Sequence, residues 1–470
     1  MQCFKIYSRD IQKRIDPYFY SPQHDIKLGC YHILTLSDIC NVITDGDHGN
    51  PQYSEDGSGI PYLRVVDVKN NLINYESMQY ITEEYSNSLY KSCFAHENNL
   101  LISIVGTLGE SVLYKGSTPL AISRGFAILE FNEKVIPEYV LAYTKTSIFN
   151  KQIQKNKVGS VQDGIYLQSL KEIKIPIPSL DEQQKIAQLA LNAYENKLKR
   201  EEDVEGIMSS LENEIFEYLD IKNYSSSDKK AFSIKCKDVQ NKRLDVYGYQ
   251  LTPRTVINAI KQSRYGKTIT PLNSLILENF AGDWGEDIEK DLNDNYSICN
   301  VIRNKNFNNV YNIDYEDIAQ RKILNTKKEK ILLKKGDILI EKSGGSPQQP
   351  VGRVAYIDKD IDNYVFSNFL QCIRINSELC DPEYLFIYLR TIYKLNYMKY
   401  IQSQTTGIIN LLMDDFLNIP IIILKDKDAQ REIVDKYNEM HNKAKQLQEE
   451  AKDEFKKTKV EVEKMILGEE

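Results

Sequence analysis

Few stretches of the chain hold residue types that could do chemistry, and each can be tested against the spacing that chemistry needs. The tract SRYGKT (Ser263–Thr268) ends like a phosphate-binding loop. That loop requires a glycine five positions before Gly266, where this chain has Lys261, so the backbone could not wrap a phosphate. The tract GDILIEKS places Asp337 and Glu341 near Lys342, a grouping reminiscent of a metal-dependent nuclease core. Lys342 stands one residue too early for an acid-x-lysine triplet, so the expectation is a strand edge with charged side chains facing water. The histidines (His24, His32, His48, His96, His441) do not cluster, and the 8 cysteines show no CxxC spacing, which points away from zinc, disulfides and acid–base catalysis. No NPPY-like tetrapeptide of adenine methylation is present, nor a glycine-rich strand-to-helix turn suited to S-adenosylmethionine. The residues therefore predict a protein that holds no catalytic centre and no metal.

What the sequence does contain is long helices. Leu180–Asp220 has no proline and one glycine, with Ile186, Leu189, Ala190, Ala193, Tyr194, Val204, Ile207, Leu211, Ile215 and Leu219 at helical spacing. At about 1.5 Å per residue, roughly 40 residues span about 60 Å, more than one compact domain needs. Its stripe calls for a partner, and Ala429–Leu467 offers one, with Ile433, Tyr437, Met440, Ala444, Leu447, Ala451, Val462 and Met465 in the same rhythm. Of the net charge of −7, the central helix alone accounts for −7, while residues 221–424 carry +4. The acidity belongs to the connector, and a basic groove on the globular parts is allowed. With 470 residues, 41% hydrophobic, there is ample material for two cores. No apolar run is long enough to span a membrane and Met1–Asp10 lacks a signal-peptide core, so the expected location is the cytoplasm, with no membrane partner.

The globular parts are copies of one another. LRVVDVKN (Leu63–Asn70) recurs as CNVIRNKNF (Cys299–Phe307), and NNLLISIVGTLGE (Asn98–Glu110) as GDILIEKSGGSPQQPVGR (Gly336–Arg353). AISRGFAILEF (Ala121–Phe131) answers VFSNFLQCIRI, IPEYVLAYTKT answers DPEYLFIYLRT, and LQSLKEIKIPIPSLDEQQKI answers LLMDDFLNIPIIILKDKDAQREI. RIDPYFYSPQ (Arg14–Gln23) likewise recurs as RLDVYGYQLT (Arg243–Thr252). Order and approximate spacing are kept throughout, which identifies an internal duplication. Asn99 and Ser103 then occupy the places of Asp337 and Glu341, and such weak ligands argue further against a metal site. Each half reads as short β-rich runs, a Tyr- and Leu-rich helix after Pro137 or Pro382, an extended IP segment, and a long helix.

Tandem halves that each close on an IPIP…EQQKI helix resemble the specificity subunits of type I restriction–modification systems. The match rests on ITDGDHGNPQY followed by GIPYLRVVDV, on KIPIPSLDEQQKI, and on NIPIIILKDKDAQREI, and it covers nearly the whole chain. The second half departs from the pattern: it has GDWGED (Gly282–Asp287) around the single tryptophan in place of the HGNP loop, and its EQQ is reduced to DAQ. The resemblance implies an α+β fold with two target-recognition domains (1–179 and 221–424), joined by two long helices (180–220 and 425–470) that pair as an antiparallel coiled coil. It implies no catalysis by this chain, which would recognise double-stranded DNA. It further implies two adenine-N6 methyltransferase subunits and endonuclease/translocase subunits as partners, to which S-adenosylmethionine, ATP and magnesium would belong. Candidate DNA contacts are polar loop residues that differ between halves: His48, Asn50, Gln52, Arg64, Thr107, Ser123 and Arg124 in the first, and Arg303, Asn304, Ser346, Gln348, Gln349, Ser367, Asn368, Gln402 and Gln404 in the second. The residues by themselves support a duplicated binding protein. A helical scaffold whose globules bind protein, and an enzyme whose site carries no familiar signature, remain the alternatives.

Overall fold

A computed structural model of the chain describes residues 17–21, 26–69, 72–159, 163–222, 224, 233–234, 250–308, 310, 312–346, 349–405 and 407–469. The chain divides into two compact units, Met1–Lys199 with Glu450–Glu470, and Arg200–Glu449. Among the described residues no helix is long and apolar enough to cross a membrane.

In the first unit the main sheet is antiparallel, in the order Cys40–Asp45, Phe126–Phe131, Leu100–Ser103, Ser111–Leu113. Because side chains alternate along a strand, Leu100, Ile102, Ala127 and Leu129 face one side and pack with the helices Pro137–Thr144 and Ser147–Asn156. Leu101, Phe126 and Ile128 face the other, against Leu63, Leu120 and Ile122 of a second sheet. The second unit repeats this arrangement with Ile276–Ala281, Leu370–Ile375, Ile338–Glu341 and Val354–Tyr356. Its second sheet also keeps one parallel pairing, Tyr296–Ile302 with Tyr364–Phe366, as Ile60–Leu63 pairs with Leu120–Ile122.

The repeated PEY motif now has a physical reason. Its tyrosine and a second one four residues on lie on one helical face, and both hydroxyls donate to the backbone of the IP strand. Tyr139 bonds the Pro176 carbonyl and Tyr143 that of Lys174, each at 2.6 Å. Tyr384 and Tyr388 do the same to Ile422 and Pro420 at 2.8 Å. The surviving glutamine of EQQ and DAQ is equally functional in the frame. Buried Gln183 accepts from the Ile136 N–H at 2.9 Å and donates to the Pro178 carbonyl at 3.0 Å. Gln430 accepts from Asp381 N–H at 2.9 Å and donates to Leu424 at 2.7 Å. Each long helix is thus tied to the first turn of the PEY helix in its own half.

The central helix runs unbroken over Leu180–Tyr218 and the last over Lys427–Leu467. Ser179 and Glu182 form a reciprocal box at the start of the former, with the Ser179 N–H donating to Glu182 at 3.0 Å and the Glu182 N–H to Ser179 Oγ at 3.3 Å. Within each unit the two helices run antiparallel. In the second, Tyr218 donates to Glu432 at 2.9 Å and Glu214 pairs with Lys436 at 2.5 Å, over a core of Val204, Leu211, Ile215, Ile433, Tyr437 and Ala444. In the first, Lys197 lies over the Phe455 ring at 5.1 Å, and Ile186 and Ala187 share a core with Val462 and Ile466.

The expectation of a water-facing edge at GDILIEKS is corrected. Ile338–Glu341 is an interior strand, and Asp337 and Glu341 are 2% and 1% exposed. Arg374 donates to Asp337 at 2.9 Å, and Arg353 forks onto Glu341 at 2.8 and 3.0 Å. Buried charges require such partners, and these two supply them.

Candidate nucleic-acid interface

At one end of each main sheet the loops that the sequence singled out are built on a common backbone. Gly46-Asp47-His48-Gly49 and Gly282-Asp283-Trp284-Gly285 occupy equivalent places. Asp47 N–H donates to the Ile122 carbonyl at 2.8 Å and Asp283 N–H to that of Phe366 at 2.9 Å. Each aspartate then accepts from the second glycine's N–H, at 2.8 and 2.9 Å. A β-carbon on Gly46 would overlap the carbonyl oxygens of Ile122 and Ser123, and one on Gly282 those of Phe366 and Ser367, so only glycine fits at either place. The second half therefore keeps the loop it had been expected to lack, with Trp284 where the first half has His48.

In the first globule this loop meets the other candidates. Arg124 N–H donates to the Asp47 carbonyl at 2.9 Å, and Ser123 N–H to Leu63 at 3.0 Å, next to Arg64. The Thr107 loop joins through Ile104 N–H to the Gly125 carbonyl at 2.8 Å. His48, Thr107 and Arg124 are exposed, and Ser123 is half-buried. Asn50 and Gln52 are exposed on the segment leading away, Gln52 accepting from Thr82 N–H at 2.9 Å. His48 Nε2 lies 2.7 Å from Asp45. Arg64 has a different role: its guanidinium forks onto buried Asp67 at 2.9 and 2.8 Å and reaches Gln79 at 2.6 Å, which anchors the turn.

The second globule gathers its candidates around the same point. Ser367 N–H donates to Ile302 at 2.9 Å, beside Arg303, and Asn368 is exposed next to it. Ser367 itself is 1% exposed. Arg303 donates to the Asp317 carbonyl at 2.7 Å and lies 6.0 Å from the Trp284 ring, whose face Arg321 covers at 4.3 Å. Asn304 donates to Glu341 at 3.2 Å. Ser346 and Gln349 close a turn, Gln349 N–H to Ser346 Oγ at 3.0 Å. Gln402 and exposed Gln404 belong to the hairpin Gln402–Thr405/Ile408–Leu411, joined to Ser343–Gly344. Gln348 lies outside the described residues. The exposed donors and acceptors that remain, on a frame held by the backbone, can meet the groups on base edges and phosphates. Trp284 was missed as the counterpart of His48; the shared G-D-x-G spelling was the available signal.

The family profile described as "Type I restriction modification DNA specificity domain" matches residues 31–205 and again 284–456, most of the chain. The chain belongs to this family. Over 148 residues it is 29% identical to the type I restriction enzyme HindI specificity subunit of Haemophilus influenzae, covering 29% of this chain and 31% of that one. Over 170 residues it is 23% identical to the EcoBI specificity subunit of Escherichia coli, covering 35% and 36%. The matched segments thus span about a third of the length of these curated relatives. Among solved structures, the S subunit of a type I restriction–modification system from M. genitalium overlays with a TM-score of 0.43 at 12% identity, over 93% of this chain and 96% of that one. Members of the family are specificity subunits, the non-catalytic components of restriction–modification complexes.

Proposed function

We propose that this chain is the DNA-reading subunit of a type I restriction–modification complex, in which each globule reads one half of a bipartite duplex target. The observation that carries the proposal is the pairing of one backbone frame with two unlike sets of side chains, typified by exposed His48 and half-buried Trp284 on equivalently bonded G-D-x-G loops. Two unlike readers on one chain specify a non-palindromic site. The candidate contacts are those placed above, with Arg64, Arg303, Asn304 and Ser367 shaping the loops and His48, Arg124, Asn368 and Gln404 best exposed for contact. The two long helices would fix the gap between half-sites and dock two adenine-N6 methyltransferase subunits, with endonuclease/translocase subunits joining for cleavage. S-adenosylmethionine, ATP and magnesium would be held by those partners, in the cytoplasm. Mapping methylated adenines in cells that carry this chain with its neighbouring methyltransferase tests the reading. It predicts one split motif that vanishes when this chain is deleted, and no methyl transfer by the purified chain alone. A motif that survives deletion contradicts it.

A further inference from the structure

The two globules differ on the helix-covered face of the main sheet. Strand register aligns Ile43, Ala127 and Ile104 of the first with Asn279, Gln371 and Lys342 of the second. In the first, Ile104 and Ala127 are 5% and 0% exposed, in a core that includes Phe149 and Ile153 of the ten-residue helix Ser147–Asn156. At the same point in chain order the second globule has a single turn, Tyr397–Tyr400. There Asn279 is exposed, and Gln371 and Lys342 are half-buried. The three side chains form a diagonal chain of bonds: Lys342 Nζ donates to Gln371 Oε1 at 3.4 Å, and Gln371 Nε2 donates to Asn279 Oδ1 at 2.6 Å.

Each amide oxygen accepts one bond in this connection. The donors it leaves for a ligand are the other N–H groups of the Lys342 ammonium, the second N–H of Gln371 Nε2 and the Asn279 amide nitrogen. Partial burial lowers the Lys342 pKa, so an acceptor arriving there offsets the solvation the ammonium has lost. The strip ends where the candidate loops meet, since Lys342 and Ser343 N–H both donate to the Phe369 carbonyl, at 3.0 and 3.2 Å, and Leu411 N–H donates to Lys342 at 2.8 Å.

We infer that Asn279, Gln371 and Lys342 form an extra contact strip for acceptor oxygens and nitrogens of DNA, present in the second globule only. The inference rests on the DNA-reading function proposed above. The acceptors are phosphate oxygens or the O6 and N7 edge of guanine, and two variants separate them. Lys342→Met keeps the aliphatic stem and Gln371→Ala breaks the connection; each is made in the full chain, assembled with its methyltransferase subunits, and checked by thermal unfolding. If the strip holds phosphate, Lys342→Met weakens binding to the cognate duplex several-fold and reduces the slope of log K against log salt by about one, with the methylated motif unchanged. If it reads guanine, one position of the second half-site loses its base preference while the first half-site is untouched. Folded variants with wild-type affinity, salt slope and motif would overturn the strip. A wild-type complex with no sequence preference would instead overturn the DNA-reading function, and the strip with it.

Discussion

In the first globule the central strand is flanked by neutral groups, Asn99 and Ser103, whereas the second globule places Asp337 and Glu341 at the same two positions. The neighbours change with them. Where the second globule has Arg374 and Arg353, the first has Glu130 and Glu110, as strand register shows. The second globule's buried carboxylates thus come together with arginines, whereas the first has neither, and an unmatched buried charge would cost about 3–5 kcal/mol of a domain's roughly 5–15 kcal/mol. A similar exchange occurs on the long helices. Counting from the buried glutamines, Ala190 and Tyr194 correspond to Tyr437 and His441. In the second unit Tyr437 is buried against Phe386 and stacks on His441. In the first, Ala190 and Tyr194 line a cavity of about 560 Å³.

This comparison can be broken most severely at the ion pairs. Replacing Arg353 by methionine strands the buried Glu341 carboxylate and should destabilise the second globule by about 3–5 kcal/mol, whereas Ser103→Ala in the first should cost about 1 kcal/mol. Urea unfolding of both variants measures the difference, and equal costs would mean that the second globule does not depend on the pair.

The His441 environment predicts a pH dependence confined to the second unit. Burial, with Arg390 and Lys445 nearby, pushes the imidazole down to about 4, against a weaker opposing effect of a hydrogen bond with the Val310 backbone. The unfolded chain binds a proton near pH 6.5 that the folded one refuses until about pH 4. Stability attributable to this residue is thus complete above about pH 6.5 and is lost as pH falls toward 4, by up to about 3 kcal/mol. His441→Phe should flatten the urea midpoint between pH 7 and pH 5 relative to wild type; an unchanged slope would exclude His441 as its source.

A smaller effect tests equivalence directly. Gln183→Leu leaves one backbone N–H and the Lys134 and Pro178 carbonyls without their partner, Gln430→Leu leaves one N–H and one carbonyl, and each should cost about 1–3 kcal/mol. Similar losses in the two variants would sharpen the view that the halves are copies. A loss in one variant alone would show that the matched geometry hides unequal roles.

Those glutamines also explain what was legible in the sequence. The duplication could be read because its repeated letters, the PEY-x-x-x-Tyr pair, the IP strand and the helix-opening glutamine, are the residues that bond one element to the next. The long helices could be read because a stripe of apolar residues at helical spacing needs no distant information. The ion pairs were not legible: Glu341 finds Arg353, and Asp337 finds Arg374, only once strands from different parts of the chain are side by side. The same limit applied to the site. Sequence placed Arg64, Arg303 and Asn304 in loops but could not show that their side chains are bonded to neighbouring groups of the fold. The diagonal from Asn279 to Lys342 draws on three strands, and no local pattern marks it.

The central claim is that each globule reads its own half of the DNA target, and exchanging one globule tests it most directly. Residues 1–179 would be replaced by the corresponding segment of a family member with a different motif, and methylated adenines mapped in cells that also carry the methyltransferase. The account predicts a hybrid motif, with one half-site new and the other retained along with the original gap. A folded chimera in which both half-sites changed together, or neither did, would contradict it.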